Sequence, residues 1–159
     1  MAIILKKESV NLNCVEVISE NDDALDLEKS DFEKYRETGN INHLRFIPDK
    51  QPTIFICNFN LRGKDLASIT NAMIEGTDED GKPKVAIGTW AYKIAKLTLK
   101  DIKNPSYLTD EEKIEFKKDH KGLIHDDVLA LLHRAGVVNE ILTMYTTLTQ
   151  TPAKRELKN

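Results

Sequence analysis

The chain has 159 residues, of which 40% are apolar and 31% are charged, and its net charge at pH 7 is −3. This length predicts a single domain, 1–159, that can bury a core of its own. The small negative charge disfavours nucleic acid as the main partner, and no apolar run approaches the ~20 residues that a membrane span requires.

The N-terminal part predicts short strands. Residues 2–5 (AIIL) and 12–18 (LNCVEVI) are rich in β-forming side chains. The first run is too short for the apolar part of a signal peptide, so we expect a cytoplasmic protein. Cys14 and Cys57 do not form a CxxC pair, and we interpret them as two reduced thiols.

An acidic segment, 20–37, follows these strands and contains the first predicted helix. Its first part, 20–29, has a composition typical of mobile chain. Ser30 and Glu33 are spaced as a capping box, and Gly39 can end a helix. Together they predict a short helix that stops at the glycine.

Residues 44–61 predict a β-hairpin. Two strand-like segments, 44–47 and 53–61, are separated by a turn that Pro48 and Pro52 make rigid. The second strand carries apolar side chains on both faces, so we expect it to be covered on both sides: Ile54 and Ile56 on one face, and Phe55, Cys57, Phe59 and Leu61 on the other.

The second half of the chain predicts helices. Apolar residues recur at helical spacing from Leu66 to about Gly76, and again across 85–103. A third helical region, 125–149, contains Gly136, which either kinks one long helix or separates two.

These elements together predict an α+β fold. A small antiparallel β part within 1–62 precedes a helical part, 63–149, and a flexible polar tail, 150–159. A sheet of two or three strands needs a helix or another protein against it, so the helical part should pack on the strands.

No catalytic motif is recognisable in the sequence, which lacks GxSxG, P-loop and GxGxxG patterns. His120, His125 and His133 lie close together with Asp126 and Asp127, but their spacing is not that of a zinc site. We therefore expect no enzyme activity, no catalytic or metal-binding residues and no cofactor, and we assign no role to the three histidines.

Four lysines recur at helical spacing within the predicted helix 85–103 and would line one face of it: Lys93, Lys96, Lys100 and Lys103. Such a face can bind nucleic-acid phosphates or an acidic protein surface, or it can simply be solvated. Tyr92 lies off the apolar stripe of the same helix and is a candidate anchor for a partner.

The last predicted helix, 137–149, is apolar on more than one side. Val138 and Leu142 form one stripe, whereas Ile141 and Met144 fall away from it. A helix of this kind is either buried all round or engaged by a second chain. The candidate partner-binding residues are therefore Val137, Ile141, Met144 and Tyr145, together with Tyr92.

Two segments carry a resemblance to a known family. They are HLRFIPDKQPTIFICNFNL at 43–61 and GVVNEILTMYTTLTQTPAKRELKN at 136–159, about 45 residues together. They resemble small proteins of tailed bacteriophages encoded among the virion-morphogenesis genes, including tail-assembly-chaperone-like proteins. The resemblance implies a non-enzymatic protein that binds other phage structural or assembly proteins, or copies of itself, in the host cytoplasm during assembly. It leaves open whether the protein stays in the finished virion.

The leading hypothesis is therefore a phage virion or tail assembly protein that acts through protein–protein contacts. The alternative is a nucleic-acid-associated or regulatory factor that uses the basic face of helix 85–103. The two differ in the surface that binds, because the first requires apolar side chains and the second requires free lysines.

Overall fold

The computed structural model describes residues 10–72, 74–77, 79–81, 83–85, 87–105 and 115–149. Within them the architecture is α+β, which confirms the predicted fold class. The helices and strands in chain order are β1 (Val15–Val17), α1 (Phe32–Thr38), β2 (Ile54–Cys57), α2 (Lys64–Ala72), β3 (Ile74–Thr77), β4 (Pro83–Val85), α3 (Ile87–Thr98), β5 (Leu99–Lys103), α4 (Asp126–Arg134) and α5 (Val137–Leu148). The strand expected at 2–5 and the tail at 150–159 lie outside the described residues. None of the described helices is long and apolar enough to cross a membrane.

Three strands form an antiparallel sheet in the order β1-β2-β5, with β2 in the centre. This pairing differs from the hairpin predicted over 44–61, because both neighbours of β2 are distant in sequence. Phe46 instead forms a single bridge with Leu25. The first segment makes its backbone hydrogen bonds elsewhere: the N–H of Ile47 donates to the carbonyl of Ala24 (2.8 Å), and the N–H of Asp26 donates to the carbonyl of Arg45 (2.9 Å). A separate two-stranded sheet pairs β3 with β4.

In the described part of the chain, the three-stranded sheet has one fully buried face. The buried face carries Val15, Val17, Phe55, Cys57 and Ile102. The opposite face is half-buried or exposed, and it carries Glu16, Ile54, Ile56, Asp101 and Lys103. The cover expected on both sides of β2 is therefore complete on one side and only partial on the other, where Ile54 and Ile56 are half-buried.

The helix predicted over 85–103 is shorter than expected. α3 ends at Thr98, and the chain continues directly into β5, which pairs along the edge of β2. At the junction the N–H of Asn58 donates to the carbonyl of Thr98 (2.8 Å). Pairing with a neighbouring strand here outweighs the helical periodicity of the sequence. The helix expected to reach Gly76 likewise ends at Ala72, and β3 follows.

In the acidic segment, aspartate side chains accept hydrogen bonds from backbone N–H groups. A carboxylate oxygen of Asp22 accepts a hydrogen bond from the N–H of Thr53 (2.8 Å), which ties 20–29 to the residue that precedes β2. Asp31, one residue after the predicted cap, is the N-cap of α1, and Gly39 ends that helix in the left-handed conformation, as predicted. Several acids of this segment therefore have structural partners.

Gly136 separates two helices and does not kink one. Its φ is +79°, a left-handed conformation that glycine adopts without strain. Its N–H donates to the carbonyl of His133 (3.1 Å), which closes the last turn of α4. The chain can then reverse, and α4 and α5 pack against each other.

The helix α5 lies at the centre of the core, where it contacts α1, α3, α4 and β1. The four side chains on it that were predicted to meet a partner are at most 7% exposed: Val137, Ile141, Met144 and Tyr145. The structure corrects the prediction. The sides of α5 that carry these four residues are covered by other elements of the same chain, so no second chain is needed to bury them.

Candidate functional site

The residues singled out on α3 lie beside the loop 115–125 and the first turn of α4. These elements enclose a pocket of about 260 Å³, which we call the α3–α4 pocket. The Tyr92 hydroxyl donates a long hydrogen bond (3.4 Å) to the carbonyl of Asp126, so this tyrosine contacts its own chain. Two leucines and six polar residues line the pocket: Leu97, Leu123, Lys93, Lys96, Asp119, His120, Lys121 and Asp126.

Lys96 ties the three elements together. Its ammonium forms ion pairs with Asp119 (3.2 Å) and with Asp126. The side chains of Lys96 and Asp119 are only 20% and 15% exposed, so water screens their pairing less than that of an open surface pair. Hydrogen bonds to Asp126 and Asp119 raise the pKa of Lys96 above its usual value. The lysine therefore stays charged and holds the loop against α3.

Asp119 also closes the turn that precedes α4. Its carboxylate accepts hydrogen bonds from the N–H groups of Lys121 (2.8 Å) and Leu123 (3.1 Å). Burial alone raises the pKa of Asp119, but the hydrogen bonds from Leu123, Lys96 and Lys121 outweigh it and lower the pKa below its usual value. Neither Asp119 nor Lys121 was singled out from the sequence. The available signal was an aspartate three residues before Gly122, the left-handed glycine of the turn.

The histidines of this region occupy separate positions. Nδ1 of His125 accepts a hydrogen bond from the N–H of Asp127 (3.1 Å), so His125 is the N-cap of α4. Asp126 and Asp127 follow in the first turn, where the helix dipole favours negative charge. His133 is exposed in the last turn of the same helix. In the described part of the chain no three His, Cys, Asp or Glu side chains are grouped to hold a metal ion.

Three cationic or titratable groups of the pocket form no ion pair with any other described residue: Lys93, His120 and Lys121. The three lysines of the pocket outnumber its two aspartates, so the lining carries one net positive charge at neutral pH. Because Lys96 already neutralises much of the carboxylate charge, the remaining cations can receive an anion.

The basic face predicted on one helix is divided between two elements. Lys93 and Lys96 lie on α3, whereas Lys100 and Lys103 lie on β5. Lys100 is the extra residue of a bulge in the pairing of β5 with β2. The prediction of one continuous lysine stripe is therefore corrected, because the helix ends at Thr98 and a strand has a different side-chain period.

A second surface was not singled out from the sequence. Ile56 lies between Glu16 and Asp101 in one row across the three strands, and Ile54 lies beside Lys103 in the next row. We call these five residues the outer sheet face. An apolar centre with a charged rim is the arrangement found in many protein interfaces. The sequence shows the two isoleucines, but only the strand order shows which charges flank them.

The two cysteines are free thiols, Cys14 exposed and Cys57 buried. Burial raises the pKa of Cys57 far above its usual range, so its thiol stays neutral. Its position on the buried face of β2 gives it a packing role.

No protein-family model, no curated protein and no solved structure matches this chain.

Proposed function

We propose that this protein is a non-enzymatic structural or assembly protein of the phage virion or tail type, and that copies of it associate through the outer sheet face. The observation that carries the proposal is the pair of half-buried isoleucines, Ile54 and Ile56, at the centre of that face with charged residues beside them. The segment 43–61, which carries part of the resemblance, contains the same strand. Other phage structural or assembly proteins are the alternative occupants of this face.

The charges of the outer sheet face favour a second copy as the partner. On β5, Asp101 lies in the row of Ile56 and Lys103 lies in the row of Ile54. Two copies can stack with their outer sheet faces together. A two-fold axis that lies between the faces, perpendicular to the strands and midway between the two rows, then brings Asp101 of each copy opposite Lys103 of the other. The same axis brings Ile54 opposite Ile56. Both contacts then occur twice, as a two-fold interface requires.

The outer sheet face is small, which sets the expected strength of association. Three strands ~4.8 Å apart and four residues long cover roughly 200 Å², well below the ~800 Å² per partner of a standard interface. Completing the burial of two half-buried isoleucines contributes on the order of 1 kcal/mol each. We therefore expect weak, concentration-dependent association, which becomes persistent only when many copies assemble.

Three titratable groups in or beside the α3–α4 pocket have structural roles and are not free to act in catalysis. Lys96 and Asp119 are engaged in holding the loop, and His125 is engaged as a helix cap. A general base or nucleophile needs a reactive atom that is free to reach a substrate. These three groups are committed to structural hydrogen bonds and ion pairs.

Light scattering over a concentration series, at low and high salt, tests the proposed association. We expect a molar mass near 18.1 kDa in dilute solution that rises with concentration and survives salt. Ile56→Asp should abolish the rise. Leu66→Asp is the matched control, since it changes a 46% exposed leucine on α2 and should leave the rise intact. A constant monomer mass, or wild-type behaviour of Ile56→Asp, would contradict the proposal.

A nucleic-acid-associated factor is the second candidate, favoured by the cations of the α3–α4 pocket. It has less support because Lys100 and Lys103 lie on a different element from Lys93 and Lys96. The discriminating measurement is a salt titration of DNA and RNA binding. This candidate requires an affinity that falls steeply with salt and is lost in Lys93→Glu/Lys100→Glu. The assembly proposal expects no binding of that kind.

A further inference from the structure

We propose that the α3–α4 pocket binds the phosphate group of a small phosphomonoester, held by Lys93, His120 and Lys121. These groups come from one helix and from the loop 115–125, and all three line the same cavity of about 260 Å³. The pocket is separate from the outer sheet face, so this proposal goes beyond the proposed assembly function and does not depend on it.

The charge arrangement of the pocket favours an anion. Lys96 is paired with both Asp119 and Asp126, so the two carboxylates are not free to repel a ligand at full strength. Asp119 is further satisfied by two backbone N–H groups. Lys93 and Lys121 therefore supply the unpaired positive charge of the lining, and a phosphate dianion can interact with both.

The donor set suits a phosphate better than a carboxylate. Two ammonium groups and one imidazole are separate donors at three positions, and a phosphate offers three acceptor oxygens. Lysine binds phosphate as a point charge, and the lining supplies lysines and no arginine. Leu97 and Leu123 provide apolar wall for the rest of a small ligand.

The position of the cations favours a single phosphate over a nucleic-acid strand. A strand needs a track of cations, one for each phosphate that it presents. Here Lys93 and Lys121 meet at one cavity, while Lys100 and Lys103 lie on β5. The cavity is also slightly below the usual size of ligand pockets, which fits a small phosphomonoester.

The test is a titration of the full chain with glycerol 2-phosphate, and separately with inorganic phosphate, at constant ionic strength. Backbone NMR signals of 119–123 report on the loop. We expect saturable shifts, with affinity about tenfold or more weaker in Lys93→Gln/Lys121→Gln. The control Lys34→Gln/Lys64→Gln changes the net charge equally at two exposed lysines outside the pocket and should bind as the wild type does.

Other results would overturn the proposal in distinct ways. Shifts that do not saturate, or that weaken equally in both double variants, would show only general screening of charge. Acetate that binds as tightly as the phosphates would make the pocket a carboxylate site. An oligonucleotide that binds far more tightly than glycerol 2-phosphate, with a steep salt dependence, would replace the small ligand with a nucleic-acid strand.

Discussion

At the scale of single residues, Tyr35 shows how one side chain can stabilise a strand edge. Its hydroxyl accepts a hydrogen bond from the N–H of Ile18 (2.8 Å) and donates one to the carbonyl of Glu16 (2.6 Å). The ring is fully buried, and burial raises the pKa of the hydroxyl far above its usual value. The phenol is therefore neutral and takes the place of a neighbouring strand at the outer edge of β1.

Removal of this hydroxyl should be costly. Tyr35→Phe leaves a backbone donor and a backbone acceptor without a partner, so we expect the free energy of unfolding to fall by about 2 kcal/mol. Urea denaturation measures the change. Tyr92→Phe is the control, since its hydroxyl makes only a 3.4 Å, exposed hydrogen bond and its loss should cost under ~1 kcal/mol. Equal losses in the two variants would contradict the role given to Tyr35.

Asp119 gives a prediction about pH at the same scale. Its folded-state pKa lies below its usual value, so its contribution to stability is full above that usual pKa and is lost as the pH falls through the folded-state pKa. Asp119→Asn should be less stable than wild type at neutral pH, and the gap should close in strong acid. Denaturant unfolding at a series of pH values measures it, and a gap independent of pH would exclude the proposed charge interaction.

At the scale of elements, α5 belongs to the core of the chain. Ile141 is fully buried, so Ile141→Asp would place a carboxylate in an apolar interior and should cost more than ~4 kcal/mol, enough to prevent folding. Circular dichroism measures the loss of helix. Asn139→Asp, at an exposed position of the same helix, should fold normally. A folded Ile141→Asp with impaired self-association would return this helix to the role of a partner surface.

The elements that sequence reasoning identified are those with local signals. Gly39 ends α1 as predicted because a left-handed glycine cap is a local feature, and Gly136 was recognised as a break point for the same reason. β5 was missed because its sequence also fits a helix. Only its pairing with β2 favours a strand over a helix there. The partners of β2 could not be read from a hairpin-like pattern, since both lie far away in the chain.

The candidate site was predicted in part. Lys93, Lys96, His120 and Asp126 were all noted, but as members of separate patterns, a helical stripe and a histidine group. Their meeting in one pocket depends on how α4 packs against α3, which the sequence does not show. Asp119 was missed because a charged residue in a polar loop has no periodicity to mark it.

At the scale of the whole molecule, the two proposed binding surfaces belong to different layers. The α3–α4 pocket lies among the helices, whereas the outer sheet face is on the side of the sheet opposite its buried face. The buried residues from β1 to α5 form one hydrophobic cluster that includes both helices of the pocket. We therefore expect self-association and phosphate binding to be separable, with Ile56→Asp affecting only the first and Lys93→Gln/Lys121→Gln only the second.

The central claim is that copies of the chain meet through the outer sheet face while α5 stays buried, and NMR of isoleucine methyl groups tests it most directly. Spectra are recorded over a range of protein concentrations. We predict that the methyl signals of Ile54 and Ile56 shift as association proceeds, while those of the fully buried Ile94 and Ile141 do not. Concentration-dependent shifts at Ile141 with none at Ile56 would contradict the account.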